Sequence, residues 1–265
     1  MIAYKCMPEL RKWDGSSYDR ISAPMEELGR DTLARLPLRG DELVLDAGCG
    51  SGRITEALIE RLPRGRVIAM DASASMVEAA SKRLERFTGA EASGARVEVV
   101  LGDLLELELG EPLDAVLSTA TFHWIPDHDA LFARLRAALR AGGRLIAQCG
   151  GEGNINVLRG RAHAILEREP YAEHFDGWQP PWRYAGPSET RERLLQAGFA
   201  EARCWLQPAP KRPAQPREFL STIVLGPHVQ RLPHELRESF LDELLAELGD
   251  DVVVDYVRLN IGASA

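Results

Sequence analysis

The chain has 265 residues, 45% hydrophobic and 27% charged, the balance of a globular protein with a full core. A net charge of −8 disfavours long nucleic-acid contacts, which need basic patches. No apolar run approaches the roughly 18 residues of a membrane span, and the N-terminal stretch lacks the apolar centre of a secretion signal. The cysteines Cys6, Cys49, Cys149 and Cys204 show no C-x-x-C and no histidine partners at ligand spacing, so no metal site is expected and a reduced, cytoplasmic setting is.

Residues 1–15 read as irregular. Ile21, Met25, Leu28, Leu33 and Leu36 then recur at helical intervals, so a helix is expected from Ser16 to Leu36. Trp13 and Tyr18 lie in a polar setting ahead of it, which suits a lid over a ligand as well as plain packing. The organising stretch follows: an apolar strand, Leu43-Val44-Leu45, ends in Asp46 and enters the turn Gly48-Cys49-Gly50-Ser51-Gly52. A helix carrying Ile54, Ala57, Leu58 and Leu62 opens behind it. Glycines at alternate positions let a ligand touch main chain that a Cβ would shield. The helix N-terminus aims its amides at that ligand. The pattern is G-x-G-x-G, not the G-x-G-x-x-G of dinucleotide loops, and a carboxylate beside a pyrophosphate would repel it. A cationic ligand fits better. Arg53, after the third glycine, is read as a surface residue.

The second strand, Arg66–Met70, ends at Asp71, about 20 residues past the turn, where an acid can hold ribose hydroxyls. Ala72 follows, Ser73 or Ser75 is expected to cap the next helix, and Met76 in its first turn offers a soft thioether to a flat ring. The third strand, Arg96–Leu101, ends in Gly102-Asp103-Leu104, a third acid at a strand end. The fourth, Ala115–Ser118, leads into Phe122-His123-Trp124-Ile125-Pro126-Asp127-His128. A helix over Asp129–Leu139 and a strand over Arg144–Cys149 complete five strand–helix units. That alternation predicts a parallel sheet covered on both faces, with ligand at the carboxyl ends of its strands. Asp114 starts the fourth strand, at the wrong end for chemistry. The rest is expected to hold a helix over Val157–Arg168, an aromatic segment to Gly186, a helix from Pro187, a strand over Ala202–Leu206, a proline-rich linker, helices over Arg217–Leu225 and Glu235–Leu248, and a last strand near Val253–Asn260.

The order Asp46/Gly48/Gly50/Gly52, then Asp71 with Met76, then Gly102-Asp103 resembles the class I S-adenosylmethionine-dependent methyltransferases over roughly residues 40–150. The P-S-E-T-x-x-x-L-L-x-A-G-F segment extends the similarity. The resemblance implies an α/β, Rossmann-like three-layer sandwich in one domain, its seven-stranded, mostly parallel sheet ending in an antiparallel strand. Within it, residues 1–38 form a lid, 39–150 the cofactor core, and 151–186 with 208–248 a helical cap. It implies S-adenosylmethionine as cofactor and S-adenosylhomocysteine as product, held by Tyr18, Asp46, Gly48, Gly50, Gly52, Asp71, Ala72, Met76, Gly102, Asp103, Leu104 and Ser118. W-D-x-x-x-Y-D, F-H-W-I-P-D-H and P-W-R-Y-A are similar to the small-molecule branch around the trans-aconitate and malonyl-carrier-protein methyltransferases.

That branch implies a small-molecule acceptor, most simply a carboxylate, and neither nucleic acid nor membrane, in a monomer or small homo-oligomer. The acceptor is expected among Trp13, His123, Trp124, Trp182, Arg183 and Tyr184, with His123 as base or orienting group and Arg183 as a clamp for an acid. A carboxylate is already ionised and needs no base. Two other readings stand beside this one: a cofactor-binding module without turnover, and a nicotinamide-dependent oxidoreductase. A base-methylating enzyme would carry a D/N-P-P-Y/F-type motif where this chain has Ser118-Thr119-Ala120-Thr121.

Overall fold

A computed structural model describes residues 23–88 and 96–265. The start of the first expected helix, with Trp13 and Tyr18, lies outside the described residues; within them α1 runs Ala23–Ala34. The five expected strands follow, with a single 3-10 turn (Leu104–Glu106) in place of a helix after the third: β1 (Leu43–Ala47), α2 (Arg53–Glu60), β2 (Arg66–Asp71), α3 (Ala74–Leu84), β3 (Arg96–Leu101), β4 (Leu113–Thr119), α4 (His128–Ala138) and β5 (Leu139–Gly150). The remainder supplies α5 (Asn156–Leu166), α6 (Pro187–Gln196), β6 (Glu201–Pro208), α7 (Pro216–Phe219), α8 (Gly226–Arg231), α9 (His234–Leu248) and β7 (Val257–Ser264).

All seven strands share one sheet in the order β3-β2-β1-β4-β5-β7-β6. The first five are mutually parallel, and β7 runs antiparallel between β5 and β6. The order in which strands are added reverses between β1 and β4, with β2 and β3 to one side and β5 to the other, so a crevice opens at the carboxyl edge there. Every residue of β1 is buried. Its alternating side chains feed two separate cores, as the period of a strand requires. Val44 joins Ile54 and Leu58 of α2 and Leu84 of α3 on one face. Leu43, Leu45 and Ala47 join Leu131 and Phe132 of α4 and Leu194 of α6 on the other. A third core ties α5 to α7, α8 and α9, with Tyr171, Trp182, Phe219 and Phe240 inside it. The edge strand β3 alternates instead: Val97 is buried while Arg96 and Glu98 face water, which blunts the edge.

Several expectations shift. The fifth strand begins at Leu139, not Arg144, directly after α4. The last strand begins at Val257, not near Val253, because its register is set by pairing with two partners: Arg258 lies opposite both Gly150 and Gln207, and Ser264 opposite both Arg144 and Glu201. The helix expected over Arg217–Leu225 is one α turn followed by a π turn, Leu220–Val224, which ends where Gly226-Pro227 starts α8. Ser73 takes the cap position of α3 but makes no side-chain cap bond.

At the amino edge of the sheet Asp114 accepts the Leu43 amide at 2.7 Å and Arg140 Nε at 2.6 Å. It staples β1 to β4 far from the crevice. Asp114→Ala leaves a buried amide without that partner, so urea unfolding should show a loss of about 1–3 kcal/mol at unchanged slope. An unaltered midpoint would remove the staple from the account.

Candidate active site

A cavity of about 1160 Å³ occupies the carboxyl edge, between the sheet and the cap. Its position agrees with backbone strain. Among the described residues the non-glycines in left-handed backbone are Ala120 (φ 57) and Ile155 (φ 51), and both lie in the cavity wall. Such strain persists only where surrounding structure imposes it, and it gathers at functional sites.

The glycine turn forms one wall. Gly50 sits at φ 55 with open space where a Cβ would stand, so a ligand can lie against its main chain. Gly48, at φ 83, also lines the cavity, and a Cβ there would meet Thr121 Oγ1 at 2.1 Å. Gly52 does not reach the cavity; it packs against Ala80 and Leu84 of α3. Four of the turn's amides are occupied within the protein. Gly48 and Cys49 donate to the Met70 carbonyl at 2.8 and 3.0 Å, and Gly52 to the Cys49 carbonyl at 3.0 Å. The Gly50 amide donates to Asp71 Oδ2 at 2.9 Å. With those donors consumed, the turn offers a pyrophosphate little and leaves an acid at its lip.

Asp71 accepts the Ser73 amide through its other oxygen at 2.9 Å. Burial pushes its carboxyl above the usual range, against the pull of these amide bonds. Asp103 accepts the Leu105 amide at 2.9 Å. Asp71, Ala72, Met76, Gly102, Asp103 and Leu104 all line the cavity, so the residues expected at the ends of β2 and β3 converge.

Asp46 is placed differently. It is fully buried beneath the turn, outside the cavity wall, and its Oδ2 accepts Thr55 Oγ1 at 2.6 Å. Its Oδ1 has no hydrogen-bond partner. Burial raises its carboxyl to about 6, while the Thr55 bond lowers it and nearby Asp71 raises it further. Ser118 is likewise sealed, its hydroxyl donating to the Ala47 carbonyl at 2.6 Å. Both hold the wall from behind.

The opposite wall is aromatic. His123 and Trp124 form a short turn after β4, with ring centroids 5.1 Å apart. Tyr184 stands 5.8 Å from His123 and stacks on Trp182, which meets Trp124 edge-on at 5.8 Å. His123 is 8% exposed, and its Nδ1 accepts the Gly150 amide at 3.4 Å. That bond assigns the remaining ring proton to Nε2. Burial, then the charge of Arg258, holds the imidazole well below its ordinary pKa, and so neutral. Arg183 is anchored at the rim: its amide donates to the His123 carbonyl at 2.7 Å, its Nη1 to the Pro126 carbonyl at 3.1 Å, and Glu189 lies 3.6 Å from its Nη2.

Three wall features were not foreseen. Arg53 is no plain surface residue: it pairs with Glu26 of α1 at 2.7 Å, and both line the cavity. Arg231 of α8 reaches the wall and stacks over Trp178. Arg258 of β7, 2% exposed, also lines it. The available signal for Arg258 was an arginine alternating with apolar residues in Val257-Arg258-Leu259-Asn260-Ile261, a strand otherwise fit for the middle of a sheet. Among the described residues, no group of three or more His, Cys, Asp or Glu side chains could hold a metal, and no helix is long and apolar enough to cross a membrane.

A methyltransferase-domain family model matches residues 44–143, from β1 into β5. A trans-aconitate 2-methyltransferase of Rhizobium etli is 31% identical over 242 residues, covering 89% of each chain. One of Variovorax paradoxus is 30% identical over 235 residues, 87% of this chain and 86% of that protein. Among solved structures, Haemonchus contortus phosphoethanolamine N-methyltransferase 2 in complex with S-adenosyl-L-methionine shares the fold at TM-score 0.58 and 19% identity, over 95% of this chain and 56% of that one. A mycolic acid cyclopropane synthase complexed with S-adenosylhomocysteine gives TM-score 0.56 at 18% identity, over 91% and 82%. With the strand order, the acids at the ends of β2 and β3 and the open glycine turn already in place, these likenesses identify the chain as a member of the class I S-adenosylmethionine-dependent methyltransferases.

Proposed function

We propose that this methyltransferase esterifies a carboxylate of a small acid. The observation that carries the reading is a division of charge across the cavity. Asp71, Asp103 and Glu106 lie at the ends of β2 and β3, and Glu26 is paired with Arg53. Beyond Glu106 every wall residue among those described is neutral or basic, with Arg183, Arg231 and Arg258 contributing charge. One end therefore suits a cation with hydroxyl and amine donors, and the other an anion. The name of the relatives, trans-aconitate 2-methyltransferase, supports an acid and makes trans-aconitate the first acceptor to test.

The residues at the acidic end fit S-adenosylmethionine. Gly50 offers the open cradle, Asp71 and Asp103 keep lone pairs for hydroxyl and amine donors, and Met76 presents a thioether. Bound there, the cofactor supplies a methyl group on a sulfonium, already activated for in-line displacement. The protein's share is to hold the acceptor in line and exclude water, which can account for roughly 7–11 kcal/mol of barrier. Trp124, Trp182 and Tyr184 exclude water. His123, neutral and with Nε2–H as donor, orients an acceptor oxygen and does not take a proton from it. Burial also pushes the Tyr184 phenol up, which keeps its proton in place. A phenol or amine acceptor would want a base that neither group supplies near neutral pH; a carboxylate wants none.

Three outcomes follow. With methyl-labelled cofactor the protein should yield the methyl ester of trans-aconitate or a related acid, identified by mass; labelled phenols or amines in place of esters would overturn the reading. His123→Ala should lower turnover by at least about tenfold, ~1.4 kcal/mol, with cofactor affinity intact, and wild-type turnover should show no inflection near the ordinary histidine range. An unchanged rate would end the orienting role. For Asp46, the folded carboxyl titrates near 6 and the unfolded one near its ordinary ~3.9. The native state thus holds the extra proton between those values. The stability this gives is complete below about pH 4 and lost as pH rises to about 6, a swing of about 3 kcal/mol. Asp46→Asn keeps an acceptor for Thr55 and removes the buried charge. The cofactor-free variant should melt above wild type at pH 7.5, the gap closing towards pH 4, while binding the cationic cofactor more weakly. A pH-independent gap would contradict the assignment.

A further inference from the structure

Four features meet at the end of β5. The Gly150 amide donates to His123 Nδ1 at 3.4 Å. A Cβ on Gly150 would lie 2.6 Å from Tyr184 Cε1, so the phenol ring rests against that Cα. Across the ladder, Arg258 is the β7 partner of Gly150. Its Nε donates to Gln148 Oε1 at 3.1 Å, which fixes the plane of the guanidinium, and Tyr256 lies 5.6 Å beneath it. The charge of Arg258 is felt by both His123 and Tyr184. A permanently charged fork is thus set deep in the basic end of the cavity, beside the group proposed to orient the acceptor.

We propose that Arg258 is the specificity-determining residue of this enzyme, and that it grips a carboxylate of the acceptor other than the one that is methylated. The inference rests on the carboxylate reading of the site. Arginine matches a carboxylate with two parallel hydrogen bonds. On the reacting carboxylate that grip would engage the lone pairs that must attack the methyl group. It would also vanish during turnover, because esterification converts the anion into a neutral group and strands the cation in a buried site. A grip on a second carboxylate keeps its charge and geometry from substrate to product. In the displacement itself a carboxylate oxygen forms the bond to the methyl carbon as the bond from that carbon to sulfur breaks, and the departing pair stays on sulfur. No proton moves, and Arg258 takes no part beyond holding. The acceptor is therefore an acid with at least two carboxylates.

Glutaconate and 2-pentenoate are five-carbon unsaturated acids that differ by one carboxylate, and they separate the possibilities. Wild type should show kcat/KM about 100-fold higher for the diacid, the scale of a lost buried charge pair. Arg258→Gln should lower kcat/KM for glutaconate by about 100-fold and remove most of the preference for it over 2-pentenoate, with cofactor affinity changed less than about twofold, and Arg258→Lys should recover part of the loss. Near-UV circular dichroism and cofactor titration check that each variant is folded. Should Arg258→Gln fail that check, the wild-type ratio and the Arg258→Lys profile decide. Discrimination that survives undiminished in Arg258→Gln, or is missing from wild type while both acids are esterified, overturns the role of Arg258 alone. A wild type that esterifies neither acid, nor trans-aconitate, overturns the carboxylate reading and this inference with it.

Discussion

The bond from the Gly50 amide to Asp71 is the contact on which the cavity depends. It pulls the glycine turn against the end of β2 and consumes an amide that a phosphate would seek. It also leaves a carboxylate, raised by burial, at the lip of an open cradle. Together with the Met70 carbonyl, which takes the amides of Gly48 and Cys49, it converts a strand–turn–helix unit from an anion site into one for a cation. Asp46 adds negative potential from beneath without touching the cavity. One topology can hold either kind of nucleotide-like ligand; the occupancy of the turn's donors chooses between them.

The other half of the cavity is built by different means. There the chain brings together residues far apart in sequence: the turn after β4, the loop before α6, the π turn and α8 of the cap, and the antiparallel strand β7. Insertion of β7 between β5 and β6 is what lets an arginine from near the end of the chain reach the ligand edge beside His123. The result is a cavity lined by carboxylates at the ends of β2 and β3 and by guanidinium groups from the later chain, with aromatic rings in the same wall.

What could be read from the sequence was local. Gly48, Gly50, Asp71, Met76 and Asp103 converge as their spacing implied, because each sits within a few residues of a strand end and the parallel sheet lines those ends up. The aromatics of the turn after β4 and of the Trp182–Tyr184 segment also face the cavity as expected. What escaped depended on partners. Asp46 looks the same in sequence whether it faces a ligand or, as here, Thr55 beneath a turn. The amides of Gly48, Cys49 and Gly50 were spoken for by Met70 and Asp71 at the end of the next strand. Arg53 found Glu26 on the neighbouring helix α1. The register of β7 was set by two neighbours at once, which moved the strand start by four residues and hid the significance of Arg258.

The partition of charge is tested most directly by a crystal structure of the protein with S-adenosylhomocysteine and trans-aconitate together. The nucleoside should lie along Gly50, Asp71 and Asp103, with one carboxylate of the acid on Arg258 and another facing the sulfur beside His123. An acid seated away from Arg258, or a nucleoside turned towards the arginine end, would contradict the account.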